Sequence, residues 1–174
     1  MALRVGARYW NPPQNVIDAG NAARVVYRDA PKRRDVPAQY KSARRTQLPL
    51  QPGTVALRNE IVRQYNVRQT YMPGRSRSMI DSQKLDMHQA GRAIDFMTDK
   101  ATGDAIANYL VLHADEIGIQ FVVWCGNKWN AGARPGARWD AYSGSSGHYD
   151  HPHVELSPEG AAGSTPWFRG RSLP

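Results

Sequence analysis

The sequence predicts one domain of mixed helices and short strands, organised around a paired histidine–aspartate constellation. Three observations carry that expectation. A chain of 174 residues is long enough for one real core and short for two. Leu57, Ile61, Val62 and Tyr65 recur at helical spacing, whereas Ile119 to Trp124 is an almost continuous β-branched and aromatic run. Four of the five histidines fall in two short stretches, 86–95 and 147–155, each with aspartates beside them.

Taken in order, residues 1–50 show little periodicity and many breakers, at Pro12-Pro13, Pro31, Pro37 and Pro49. They read as an extended or partly ordered arm, with a short helical piece near 16–27. Ten Lys/Arg against three Asp place +7 of the formal +8 charge there, and the other 124 residues are nearly neutral. Such asymmetry suits an anionic partner, whether nucleic acid, membrane surface or cell-wall polymer, or a docking or delivery partner for the arm. No recognised nucleic-acid motif accompanies it. The second expected unit, 51–174, opens with a helix from Thr54 to about Asn66, Thr54 serving as N-cap, followed by a short strand near 67–71. A second helix, capped by Thr102 or Asp104, buries Ile106, Tyr109, Leu110, His113 and Ile117 and stops at Gly118. The 119–124 strand follows, then a long loop over 127–147, a last strand at 154–156 and an irregular tail over 157–174, with Trp167 and Phe168 pinned on the body.

Composition excludes several classes. One cysteine, Cys125, supports neither an intrachain disulfide nor a thiolate zinc cage, and reads as a small core residue after a strand. No window approaches the roughly 18 apolar residues of a spanning helix, and residues 1–8 lack the apolar region of a signal peptide. The expectation is a protein made in the cytoplasm that reaches any external target by lysis or by a secretion machine.

The chemistry lies in the two stretches. His88 and Asp95 stand seven apart with Ala90, Gly91 and Ala93 between them, which lets the backbone turn closely enough for both to reach one ion. His151 and His153, two apart in an extended segment, face the same side. The working ligand set is His88, Asp95 and His153 around one Zn²⁺, leaving the fourth position for water. His151 or Asp150 is then available to take and return a proton.

The segment His88-Gln89-Ala90-Gly91-Arg92-Ala93-Ile94-Asp95 resembles the His-x-x-Gly-x-Ala-x-Asp motif of zinc D-Ala-D-Ala carboxypeptidases and related peptidoglycan endopeptidases. Asp150-His151-Pro152-His153 is similar to their closing His-x-His. These enzymes share a superfamily with lysostaphin-type peptidases and the hedgehog domain, and the resemblance covers about 54–157. It implies an α+β fold with a small antiparallel sheet, helices on one face and zinc in the sheet's groove. It also implies a metallopeptidase acting on D-amino-acid-containing stem peptides of peptidoglycan, as carboxypeptidase or endopeptidase, in the manner of an endolysin or a toxin effector. His88, Asp95 and His153 would be ligands, with His151 as base or transition-state support. Asp150 stands where a sister branch places a Glu base. His148 would line the pocket, and Trp124, Trp129, Trp139 and Tyr142 would wall the cleft.

Two departures bear on this. Asp86 replaces the usual Ser two residues before the first ligand and would support the His88 imidazole as an acceptor. The Gly-Tyr-Arg turn that carries a substrate-facing Arg in related enzymes reads Thr70-Tyr71-Met72-Pro73-Gly74 here, so Arg75 or Arg77 is the expected substitute. The competing expectation is a non-catalytic, zinc-stabilised binding module of the same fold. Retention of Asp150 and His151 beside the ligands weighs against it, because a structural site is normally closed by four protein ligands and needs no base.

Overall fold

A computed structural model of the protein describes residues 2–42, 46–71, 84–144 and 146–174. The fold is α+β. Six antiparallel strands form one sheet in the order β1-β2-β6-β3-β4-β5, where β1 is Gln69–Tyr71, β2 Ala93–Met97, β3 Ile119–Trp124, β4 Asn127–Asn130, β5 Trp139–Ala141 and β6 His153–Leu156.

Strand alternation gives the sheet two different faces. Ile94 and Phe96, Val154 and Leu156, Val122 and Trp124, then Trp129 and Trp139 belong to one apolar cluster, with Leu57 and Ile61 of α2 (Pro52–Tyr65) and Ile106 and Leu110 of α3 (Lys100–Leu112). Gly103 of α3 lies directly on Trp124, where an added Cβ would meet the indole at 2.2 Å. The opposite face carries a continuous cross-strand row, Tyr71, Asp95, His153, Val123, Lys128 and Asp140. An irregularity between Ile119 and Phe121 shifts the register, so that Ile119 pairs with Leu156 on the core side and Phe121 with Glu155 on the other.

Local chemistry explains the helix ends. Helix α2 starts two residues before Thr54, with Gln51 at the N-cap, because Pro52 fits the first helical position without needing an N–H partner. It stops at Asn66 in the left-handed region. Asp99, not Thr102 or Asp104, caps α3 by accepting Thr102 N–H. Asp104 instead takes Lys100 Nζ and Trp124 Nε1. The helix gives way at His113 to a short α4 (Ala114–Ile117), closed by left-handed Gly118.

Three expectations change. The stretch 127–147 is not one loop but contains the β4–β5 hairpin, because Trp129 and Trp139 are drawn into the core despite the poor strand propensity of Asn and Lys. The tail holds α5 (Pro158–Ala162) and a 3-10 turn at Pro166–Phe168, with Trp167 and Phe168 buried as expected. The described residues among the first fifty contribute to the core. Trp10 is fully buried, its indole N–H donating to Asn108 Oδ1 at 2.9 Å, and α1 (Gln14–Ala22) lies against α3. At the end of α1, Gly20 O accepts from the Trp129 indole and, like Ala23 O, from the guanidinium of Arg138, while the Trp139 indole donates to Ile17 O within the helix. None of the described helices is long and apolar enough to cross a membrane.

Candidate metal centre

Asp95 and His153 are direct cross-strand partners on β2 and β6, so their side chains rise together from the face opposite the main core. His153 Nδ1 is 2.8 Å from Asp95 Oδ1. His88 arrives from a turn over 87–91 that leads into β2, and its Nε2 is 3.3 Å from the same oxygen. One ligand atom from each of His88, Asp95 and His153 lies within 4.8 Å of the others. All three side chains are largely buried.

The turn carrying His88 is held from several sides. Gly91 ends it with φ +70°, and a Cβ there would meet Pro49 O at 2.3 Å, so a glycine is required both for the backbone angle and for the close approach. Leu48 N–H donates to Gln89 O at 2.8 Å, and Gln47 Nε2 to His88 O at 3.2 Å. Beneath the turn, Leu85, Met87, Ala90 and Ala93 pack with Ala30 and Val36 in a second small core. Asp86 accepts Gln89 N–H at 2.7 Å while Gln89 Oε1 accepts Asp86 N–H, so Asp86 locks the backbone turn that presents His88.

The electrostatics favour a cation. Burial would raise the Asp95 carboxyl, but hydrogen bonds from His153 and His88 hold it far below the ordinary carboxylate range. Burial would likewise lower His153, but Asp95 and Glu155, one at each ring nitrogen, raise it to about 10. Near neutral pH the pair therefore holds a proton between Asp95 and His153. Two imidazoles and a carboxylate are the N and O donors that suit Zn²⁺, and three such donors leave a coordination position open.

His151 stands at the edge of this group. Its Nδ1 is 2.7 Å from Asp150 Oδ1 and its Nε2 3.8 Å from Asp95 Oδ2. Asp150 is the exposed member of that pair, its side chain 74% accessible against 16% for His151. The two are therefore linked, with Asp150 on the solvent side and the other ring nitrogen of His151 turned toward Asp95. His148 packs beside them, its ring centre 4.8 Å from that of His151 and 5.1 Å from that of Tyr142. Burial, with the neighbouring histidines, lowers His148 to about 4. It is neutral near pH 7, and its Nδ1–H donates to Ser146 O at 2.9 Å.

Other expected site residues fall elsewhere. Trp139 is on the far face of the sheet, its indole bonded to Ile17 O and packed against Trp10 and Trp129. Trp124 and Trp129 are core residues as well, so no tryptophan of the set walls the cleft. Arg75 and Arg77 lie outside the described residues. His113 is remote, packed on Tyr109 and paired with Glu116. Cys125 is buried, with its thiol raised to about 11 by that burial. Two residues go beyond the expected set. Tyr71 is directly opposite Asp95 on edge strand β1 and half exposed. Glu155 touches His153, a contact that its position two residues further along the strand could have signalled.

Among known proteins, no curated protein and no solved structure matches the chain. A family model does, described as VldE, C-terminal domain, and it aligns with residues 46–153. That span holds His88, Asp95 and His153 and more than half of the chain.

Proposed function

The chain belongs to the VldE C-terminal domain family, and from the donors gathered within that span we propose that it is a zinc-dependent peptidase. Its substrates are D-amino-acid-containing peptide bonds in the stem peptides of bacterial peptidoglycan. The observation that carries the reading is the convergence of His88, Asp95 and His153 within 4.8 Å, with His151 turned toward them. The resemblance of the 88–95 and 150–153 motifs to zinc D-Ala-D-Ala carboxypeptidases and peptidoglycan endopeptidases supports the choice of substrate. A zinc ion held by these three residues supplies Lewis-acid chemistry, making a water acidic near neutral pH and polarising a scissile carbonyl.

The chain's own groups complete the chemistry. Asp150 accepts the Nδ1–H of His151 and so leaves the lone pair at Nε2 facing the ligands, where it takes a proton from the attacking water and returns it to the leaving amine. The two rivals for the proton become one unit, with His151 as base and Asp150 as its orienter. Neutral His148 and Tyr142 wall one side of the approach, and Tyr71 lies at the β1 edge.

Purified sacculi or defined muropeptides incubated with the protein test the reading, with His153→Ala and chelator-treated protein as controls and mass spectrometry of the products. The expected result is peptide-bond cleavage that disappears in both controls, with the products separating carboxypeptidase from endopeptidase. Intact substrate at full zinc occupancy would overturn the enzyme reading in favour of a zinc-stabilised binding module.

A further inference from the structure

Glu155 leaves the same face of β6 as His153, in register with Ala93 on one side and Phe121 on the other. A carboxylate in so dry a place needs partners. Its Oε1 is 3.2 Å from His153 Nε2, and its Oε2 is 3.5 Å from Gln120 Nε2. Gln120, the extra residue of the β3 irregularity, is itself fixed: its Oε1 accepts from Arg92 and from Arg28 N–H, and its Nε2 donates to Arg28 O. Tyr27, from the first fifty residues, hydrogen-bonds Glu155 through its hydroxyl. Arg92, which stands between His88 and Asp95 in sequence, donates to Arg28 O, Asp29 O and Leu156 O and ties these pieces together.

We infer that Glu155 is a positioning residue for the metal centre, fixing the proton of His153 on Nε2 so that Nδ1 presents its lone pair toward Asp95 and His88. The logic is one of donor and acceptor. Each ring nitrogen of His153 faces a carboxylate oxygen, Nδ1 that of Asp95 and Nε2 that of Glu155; a metal between His153 and Asp95 displaces only the Nδ1 proton, and Glu155 as acceptor keeps the other on Nε2. Residues 27–29 and Gln120 hold that carboxylate in place, so the N-terminal segment is wired into the site from behind. The inference rests on the zinc reading above.

The test is the zinc dissociation constant of the full chain, measured by competition with a chromophoric chelator, for wild type, Glu155→Gln, Glu155→Met and His153→Ala. Circular dichroism verifies the fold of each. Loss of an outer acceptor of this kind weakens metal binding by about 10–100-fold, which is the expectation for Glu155→Met, while Glu155→Gln keeps an acceptor oxygen and stays within about threefold of wild type. Because Met fills the space without accepting, its failure alongside rescue by Gln separates positioning from packing. Long-range ¹⁵N–¹H spectra of the zinc-loaded wild type read the tautomer directly and are expected to show His153 protonated at Nε2 and ligated through Nδ1. Wild-type affinity in Glu155→Met, or ligation through Nε2, overturns the inference while the zinc site stands. A wild-type chain that binds no zinc sinks the site itself.

Discussion

Replacing Trp10 by alanine tests whether the first fifty residues belong to the folded core. The indole is fully buried, stacks edge-on against Trp139 at 5.1 Å and donates to Asn108. Truncating a buried Trp of this kind costs about 3–5 kcal/mol, including about 0.5–1.5 kcal/mol from the aromatic pair. Against a typical total of about 5–15 kcal/mol, that is a large fraction of the stability. At about 2–4 °C per kcal/mol for a chain of this size, the melting temperature should fall by about 6–20 °C. Urea denaturation followed by circular dichroism gives the number. Val5 in the same segment, 84% exposed, provides the internal control, with Val5→Ala changing stability by less than about 0.5 kcal/mol. A Trp10→Ala loss below 1 kcal/mol would refute the claim and make the segment a loosely laid wrap.

Proton linkage gives a second test. Asp95 is already ionised and His153 carries a proton up to about pH 10. Zinc uptake at pH 7 should therefore release about one proton, and affinity should rise about tenfold per pH unit through neutrality. Calorimetry in two buffers of different ionisation enthalpy checks the count, and zero protons would contradict it. In the metal-free protein the depressed Asp95 stabilises above its unfolded pKa of about 3.9, and the raised His153 below its unfolded value of about 6.5. The apo form should lose stability as pH falls below about 4 and as it climbs from about 6.5 toward 10, a profile that thermal melts across pH would read. Gly91→Ala should cost about 1–2 kcal/mol for the left-handed angle alone, and more from the collision with Pro49. Its zinc affinity should fall well below that of folded Trp10→Ala, since the His88 turn is displaced. In turnover assays, His151→Ala should retain zinc and lose about 10²–10⁴-fold in rate, with Asp150→Asn losing less. Equal, full activity in both would remove the proposed proton path.

Much of the fold was legible where periodicity and burial coincide. The helical spacing of Leu57, Ile61 and Tyr65 and the run Ile119 to Trp124 place α2 and β3, and the two histidine–aspartate stretches, with the family resemblance that singles out His88, Asp95 and His153, point to residues that the fold does bring together. Other parts depend on contacts that leave no periodic trace. Residues 1–50 bury Trp10 and hand backbone carbonyls to Arg92, Arg138, Trp129 and Trp139, none of which is written in a local pattern. The β4–β5 hairpin is composed of weak strand formers, and its two tryptophans decide its place. Trp129 and Trp139 share a face because they are direct cross-strand partners, and the register to Val122 and Val154 makes it the face away from His153, neither of which alternation along the sequence shows. Asp86, expected to brace the His88 imidazole, accepts a backbone N–H of its own turn, an interaction that no local pattern announces.

The most direct test of the account is anomalous diffraction at the zinc edge from crystals of the zinc-loaded protein. One peak per chain is expected, about 2.0–2.2 Å from a nitrogen of His88, a nitrogen of His153 and an oxygen of Asp95. A peak at any other set of residues, or none at full zinc, would contradict it.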